Sequence, residues 1–402
     1  PPTRYRSNQA TTHTQPSEKS LKITDIKTYH CHDGNRNSVF LQVFTDEGIV
    51  GNGQPYSIGP DEAIIATVES SKHWFIGEDP SRVEWLLRRG KNTMRFPLGA
   101  VEWSFLSGVD HALWDIAGKH YGVPVHRLLG GPVRDRVRVY AHWGIGGDTD
   151  EALAAAKERL DELLKYGYTA FKSGPGGKWR GHEPPKVIDA FVKRAYTMRE
   201  WVGDEVEICF DFHGKMTPAL AIEICHELKG MRPLFVEEPV PQENVDALKQ
   251  VSDHVPFPIA TGERLLSRWE FREIFEKQAV AYIQPDGSHA GGISELKRIA
   301  NMAEVYYIHT MPHCAIGPVA LAACLQVDAA VPNFLIQEQI GPTHLFDVLS
   351  EAWEVEDGHI VLPERPGLGF EIDAKEVEKR VEYREELGGE YYYESDGSVA
   401  DW

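Results

Sequence analysis

Six apolar runs in the second half of the chain each end in an ionisable residue, and they recur at a nearly constant interval. The runs end at Asp211, Glu237, Glu263, Asp286, His313 and Glu338, so the steps are 26, 26, 23, 27 and 25 residues. An interval of that size holds one strand, one helix and two short loops. The segments between, at Thr217–Gly230, Asn244–Ser252, Arg268–Lys277, Gly292–Glu304 and Val319–Ala330, carry apolar residues at i, i+3 and i+4, which predicts helices. Two earlier runs extend the series, Val137–His142 and Tyr168–Lys172. Eight strands alternating with helices predict an α/β fold, a TIM-type parallel barrel. No helix of the same kind follows Glu338, so the expected form is (β/α)7β.

In such a barrel the chemistry sits at the carboxyl ends of the strands. Every strand from the second to the eighth ends in an ionisable side chain, and all of these converge on one mouth. Asp211 and His213 are two apart and are expected to face one space. Asp211, Glu237 and Glu263 end three consecutive strands. Carboxylates without soft ligands suit a hard divalent ion, Mg²⁺ before Zn²⁺. Glu238 points to the other face and is expected to be an ion-pair partner. Asp286 and His313 end the next two strands, and an acid that orients an imidazole makes a general base. His213 would lie across the metal from His313, so one imidazole can remove a proton while the other delivers one.

Composition narrows the partners. A formal net charge of -19 argues against nucleic acid, which needs a basic face. The five cysteines are scattered and form no CxxC pair, which predicts buried free thiols in a reducing cytoplasm rather than a disulfide framework or structural zinc. No run approaches a membrane span. Residues 1–20 are polar, lack an apolar signal core and are expected to form a flexible tail.

Ahead of the barrel, Leu21–Tyr29, Ser38–Thr45 and Ile49–Gly53 read as an antiparallel meander, followed by helices at Asp61–Gly77, Pro80–Gly90 and near Gly99–His120. These define an α+β capping domain over 21–135, with the barrel over 136–365. The segment 366–402 is expected to pack back on the cap. Asp110, His111 and Asp115 on the long helix read as structural. The Gly/Pro-rich stretch Ser173–Pro185 is too irregular for a helix and is expected to be a loop at the active-site face, where lids and specificity elements occur.

The stretches 211–214, 235–240, 262–264, 284–292, 312–324, 337–339 and 366–369, with the closing 398–402, together resemble the enolase superfamily in its mandelate racemase branch, most closely the D-galactonate dehydratases. The resemblance covers nearly everything from Leu21 onward. It implies Mg²⁺ held by Asp211, Glu237 and Glu263, with the carboxylate of a sugar acid chelating that ion. His313, backed by Asp286, would take the C2 proton, and His213 would protonate the leaving C3 hydroxyl, giving a 2-keto-3-deoxy acid through an enediolate. Glu338 would hydrogen-bond the substrate carboxylate with Lys172 nearby, and cap residues such as His30 and Tyr56 would contact the distal part. A homo-oligomer is also expected. Many relatives carry a second lysine on the second strand where this chain has Gly174, and where bulkier residues are usual it has Gly287. The first departure favours a one-base dehydratase over a two-base racemase. An epimerase, racemase or cycloisomerase remains the alternative within this chemistry. From other classes, a zinc hydrolase or a non-catalytic sugar-acid-binding relative remains.

Overall fold

The computed structural model describes residues 21–32, 37–57, 59, 61–379 and 392–400. The expected tail over 1–20 lies outside the described residues.

The chain opens with three antiparallel strands, β1 (Ile23–His32), β2 (Asn37–Thr45) and β3 (Val50–Gly53), in that spatial order. Helices α1 (Asp61–Ser71), α2 (Val83–Thr93), α3 (Ala100–Tyr121) and the short α4 (Val125–Leu128) follow. Strand β3 lies directly on α3. A Cβ on Gly51 would fall 2.1 Å from the Ala112 carbonyl oxygen, and one on Gly53 would fall 2.0 Å from that of Gly108. No other residue permits so close an approach of strand to helix. Helix α3 is buried nearly all round because this cap sheet covers one side and the barrel the other.

Eight parallel strands then form the barrel: β4 (Arg136–His142), β5 (Ala170–Ser173), β6 (Glu207–Asp211), β7 (Val236–Glu237), β8 (Ile259–Thr261), β9 (Tyr282–Ile283), β10 (His309–Thr310) and β11 (Gln337–Gln339). Neighbours pair in sequence order, β11 pairs with β4, and a Thr310–Phe334 bridge closes the ring. Seven helices connect them: α5 (Asp150–Leu164), α6 (Pro185–Val202), α7 (Pro218–Glu227), α8 (Val245–His254), α9 (Ser267–Lys277), α10 (Gly292–Val305) and α11 (Pro318–Asp328). This is the expected (β/α)7β barrel with an α+β cap. Strand alternation sorts the core. Ile208 and Phe210 pack outward under the helices, whereas Cys209 joins Tyr140, Phe235, Ala260 and Met311 in the barrel interior. Asp211 shares the inward face of Cys209, so it is delivered to the mouth. Helix α11 is buried on every side, as its apolar run from Pro318 to Leu325 requires, and it carries the buried polar Gln326 and Asp328 in its last turn. Its amino end meets the cap, where the Ala320 N–H donates to Gln54 Oε1.

After β11 the hairpin β12 (Val355–Glu356) and β13 (His359–Val361) adds antiparallel to the start of β4. Gly367 then exchanges backbone hydrogen bonds with Val123 and Val125, Leu368 N–H donates to Asp115, and α12 (Ala374–Glu378) packs on β1. Residues 392–400 depart from the expectation that all of 366–402 returns to the cap. They lie instead on the Gly/Pro-rich loop, where the Arg180 guanidinium stacks 3.7 Å from the Tyr393 ring centre and pairs with Asp396, and Tyr393 donates to the Trp179 carbonyl. Lys178 donates to the Tyr392 carbonyl and Arg180 pairs with Asp396, so the segment is held on this loop. Among the described residues no helix is long and apolar enough to cross a membrane. All five cysteines are buried, and none is in a disulfide.

Candidate active site

Asp211 closes β6, Glu237 closes β7, and Glu263 lies two residues beyond β8. One carboxylate oxygen from each lies within 4.8 Å of the other two. Asp211 and Glu237 are fully buried, and the Glu263 side chain is 10% exposed. Crowding three acids in a dry site is costly unless a cation compensates. Burial, with the Asp211 charge beside it, pushes the Glu237 carboxyl well above the usual carboxylate range. One buried oxygen of Glu237, Oε1, has no hydrogen-bond partner. An orphaned buried oxygen within a cluster of oxygen-only donors fits a hard divalent ion.

Lys172, at the end of β5, places a buried protein cation against two of the three acids, and Arg264 pairs with the third, Glu263, at 3.6 Å. The Lys172 Nζ lies 3.1 Å from Asp211 Oδ2, 3.1 Å from Glu237 Oε2 and 2.6 Å from Glu338 Oε1. Burial works against its charge, but Glu237, Glu338 and Asp211 outweigh it and hold the ammonium well above its ordinary pKa. Glu338 on β11 is fully buried and committed to protein donors. It accepts from Lys172, from His142 Nε2 at 2.6 Å and from the Cys314 N–H at 2.9 Å. It therefore anchors Lys172 and His142 as well as lying where a substrate carboxylate was expected.

Two imidazoles flank the acids. The His313 Nδ1 is 2.6 Å from Asp286 Oδ2, and its Nε2 is 3.2 Å from Glu263 Oε2. Burial opposes its protonation, but Glu338, Glu263 and Asp286 outweigh burial and raise its pKa well above the ordinary value. On the other side, His213 Nε2 is 3.2 Å from Asp211 Oδ2. Burial holds this imidazole below its ordinary pKa. The two residues share one space, as expected, but not by strand alternation. β6 ends at Asp211, and His213 takes a positive φ of 50°. The His213 N–H donates back to Asp211 Oδ1 at 2.9 Å, and Arg264 donates to the His213 carbonyl at 2.8 Å. The turn, closed by the aspartate, folds the ring back over the acid.

Arg264 also pairs with the buried Glu238 at 3.0 Å, so Glu238 is an ion-pair partner. Sequence reasoning did not single out Arg264, although it directly follows Glu263. His142, at the end of β4, carried the strand-end signal and proves to sit against Glu338. The cap reaches the site through the loop after β9. His111 Nε2 lies 3.0 Å from the Gly287 carbonyl, Asp110 accepts from the Ser294 N–H and hydroxyl, and the Tyr56 N–H donates to the Ser288 carbonyl at 3.1 Å. Burial raises Asp110 to about 7 and lowers His111 to about 4. Tyr56 also packs its ring against His289, so it stands at the mouth. His30 lies apart from that group. It pairs with Asp61 at 2.9 Å and lines a separate recess in the cap with Lys27 and Glu69.

Gly174 occupies the place of the second lysine. A Cβ there would fall 2.7 Å from the Asp211 backbone oxygen, so the backbone excludes any side chain. Gly174→Ala is expected to displace the end of β6. Misplacing a residue of a reacting constellation by 1 Å can cost on the order of 10²-fold in rate. Circular dichroism should remain that of the folded protein while turnover falls by about that factor. Turnover within a factor of about two of wild type would mean that β6 yields without disturbing the acids.

The profile of the "Mandelate racemase / muconate lactonizing enzyme, N-terminal domain" family matches residues 15–130, and that of the "Enolase C-terminal domain-like" family matches residues 154–377. The chain is 38% identical to D-galactonate dehydratase of Ralstonia pickettii, over 95% of this chain and all of the relative. The corresponding protein of Variovorax paradoxus is 37% identical with the same coverage. Among solved structures, an enolase from Agrobacterium radiobacter, provisionally assigned as a galactarate dehydratase and bound to Na and L-malate, superposes with a TM-score of 0.85. It is 34% identical and covers 94% of this chain and 99% of that one. Cap, barrel, acid cluster and these similarities agree, and the chain belongs to the enolase superfamily, as a member of its mandelate racemase group similar to the D-galactonate dehydratases.

Proposed function

We propose that the protein is a Mg²⁺-dependent dehydratase of a sugar acid, an aldonate of the D-galactonate type, forming a 2-keto-3-deoxy acid. The observation that carries the reading is the acid cluster at the barrel mouth with one histidine on either side, one of them held by an aspartate. Asp211, Glu237 and Glu263 would hold the ion. When bound there, Mg²⁺ neutralises charge that builds on the substrate carboxylate as its α-proton leaves.

The remaining steps belong to the chain's own residues. Asp286 accepts from His313 Nδ1–H, which fixes the ring's orientation, and Nε2 would take the C2 proton once a bound cation offsets the carboxylates that otherwise favour the protonated ring. Asp286 is itself held by the Ser288 N–H at 2.6 Å, so the dyad is oriented before substrate arrives. Lys172 offers a permanent positive charge beside the substrate carboxylate. His213 is half exposed at the mouth and delivers a proton to the C3 hydroxyl as that bond breaks. Burial lowers its pKa, so the ring would need to take up a proton before it can donate one, and activity should fall as pH rises above the ordinary histidine range. The enol then ketonises. The backbone packing at Gly174 supports a single base, because a second lysine has no room on the opposite side. The names of the Ralstonia and Variovorax relatives support the acid, and the sodium ion of the Agrobacterium relative supports a cation site in this fold. Five buried cysteines outside any disulfide support a reducing, cytoplasmic location.

The test is to incubate the protein with Mg²⁺ and a panel of five- and six-carbon aldonates and to assay 2-keto-3-deoxy products. Product from at least one acid, abolished by EDTA and restored by Mg²⁺, is expected. Deuterium uptake at C2 with no loss of water from any acid would replace this reading with an epimerase.

A further inference from the structure

A cavity of about 710 Å³ opens beside the acid cluster, within the range of small-molecule sites. Lys172, Asp211 and His213 line it at the barrel mouth, and Arg159 of α5 and Arg194 of α6 line it on the side of the outer helices. Much of the wall between is glycine backbone: positions 144, 146, 174, 176 and 177 all border the space. Cβ atoms on Gly146, Gly176 or Gly177 would meet nothing within 4 Å, so the space is open. Asp211 is the single carboxylate among the described lining residues.

The two guanidiniums are sparingly used by the protein. Arg194 touches Asp148 and the Pro175 carbonyl, each at 3.5 Å, the outer limit of a hydrogen bond. Arg159 pairs with Glu162 of its own helix at 3.2 Å. Its Nη2 reaches the loop after β11, 3.3 Å from where a Cβ on Gly341 would stand. Each guanidinium carries five N–H donors in a planar fork, so most remain available. A chain of net charge -19 that places two arginines and no further acid in this cavity is arranged for a negative ligand group. On the reading above, the substrate's C1 carboxylate would be served by Lys172 and by the ion that Asp211, Glu237 and Glu263 would hold, so the arginines answer to a different anion.

We propose that the site takes sugar acids carrying a second anion at the end remote from the metal, a terminal carboxylate or phosphate held by Arg194 with Arg159, and takes them more tightly than the matching aldonates. The inference rests on the sugar-acid reading above and adds a substrate class to it. The intervening hydroxyls face the peptide groups of the glycine-lined wall. Contacts made equally in ground and transition states act on KM and leave kcat nearly unchanged.

The experiment is calorimetric titration in Mg²⁺ of the His313→Asn protein, which binds without turnover. The ligands are D-galactonate, galactarate, D-gluconate, D-glucarate and 6-phosphogluconate. At least one dianion is expected to bind about tenfold or more tightly than its aldonate. Arg194→Ala, and to a lesser degree Arg159→Ala, should erase that advantage while leaving the aldonate affinity unchanged. Arg194→Lys should retain part of it, since charge persists without the fork. The tighter of glucarate and 6-phosphogluconate identifies the terminal anion as carboxylate or phosphate. Equal affinity for mono- and dianions, or an advantage that survives both alanine replacements, overturns the proposal. Dianion selectivity without 2-keto-3-deoxy product from wild type would leave this site standing and remove the dehydratase reading. Product formation without selectivity would do the reverse.

Discussion

Glu237→Gln is expected to be more heat-stable than wild type in EDTA, to gain nothing from Mg²⁺, and to be inactive. Glu237 is fully buried, and its folded-state pKa lies well above the unfolded value because of burial and the neighbouring Asp211. The sign follows directly. A carboxyl raised in this way contributes stability below its unfolded pKa and loses it as pH rises through the folded one. Wild-type protein without metal should therefore gain stability on acidification, from neutral pH towards the ordinary range of a glutamate, by an amount missing in Glu237→Gln. Lys172 retains Asp211 and Glu338 in the variant, so the amide leaves no buried cation alone. Relief of about 1 kcal/mol would raise the Tm by roughly 1 °C in a chain of this size. Wild type should instead be stabilised by Mg²⁺ through mass action, by about 2.7 kcal/mol at a hundredfold excess over Kd. Loss of the ion's charge neutralisation should cost on the order of 10³-fold or more in turnover. A variant less stable than wild type in EDTA, yet still stabilised by Mg²⁺, would show that Glu237 is not a ligand.

The second large effect separates the two proton transfers. His313→Asn should abolish exchange of the C2 hydrogen with deuterated solvent and with it all product. His213→Asn should slow water loss while leaving C2 exchange measurable. Each step assisted by a positioned acid or base is worth roughly 10²–10⁴-fold. The two histidines lie on opposite sides of the acid cluster and touch different members of it, Glu263 for His313 and Asp211 for His213. That separation is why their losses should differ in kind. Asp286→Asn should resemble His313→Asn in weaker form, because Asn can still accept from Nδ1–H but cannot stabilise the imidazolium. Normal exchange in both histidine variants would reverse or remove the assignment of base and acid.

Much of the barrel was legible because its information is local. An apolar run, a polar end and an amphipathic connector recur at fixed spacing, and each unit can be recognised without knowing its neighbours. The closed ring then forces strand ends together, so Asp211, Glu237, Glu263, Asp286, His313, Glu338 and Lys172 converge as their positions imply. His142 carried the same signal at the end of β4. The cap strands were legible for a similar reason, through alternation broken by turn residues.

Other features depend on contacts between segments far apart in sequence. His213 meets Asp211 through a left-handed turn closed by a side chain, a geometry that periodicity does not encode. Residues 392–400 lie on the loop containing Arg180 through contacts between residues more than two hundred positions apart, which no local pattern announces. Gly174 could be read as a missing lysine, but that no side chain fits there depends on the Asp211 carbonyl 2.7 Å from its Cβ direction. His30 and Tyr56 looked alike as cap residues, yet docking brings only Tyr56 against the β9 loop. Arg159 and Arg194 lie within helices whose sequences mark them as ordinary surface charges. The sequence by itself determined which residues end the strands, and therefore which acids and imidazoles the barrel mouth gathers. Only the tertiary structure decided which helical side chains border the same cavity, because a residue's place on a helix fixes its face and leaves open what that face meets.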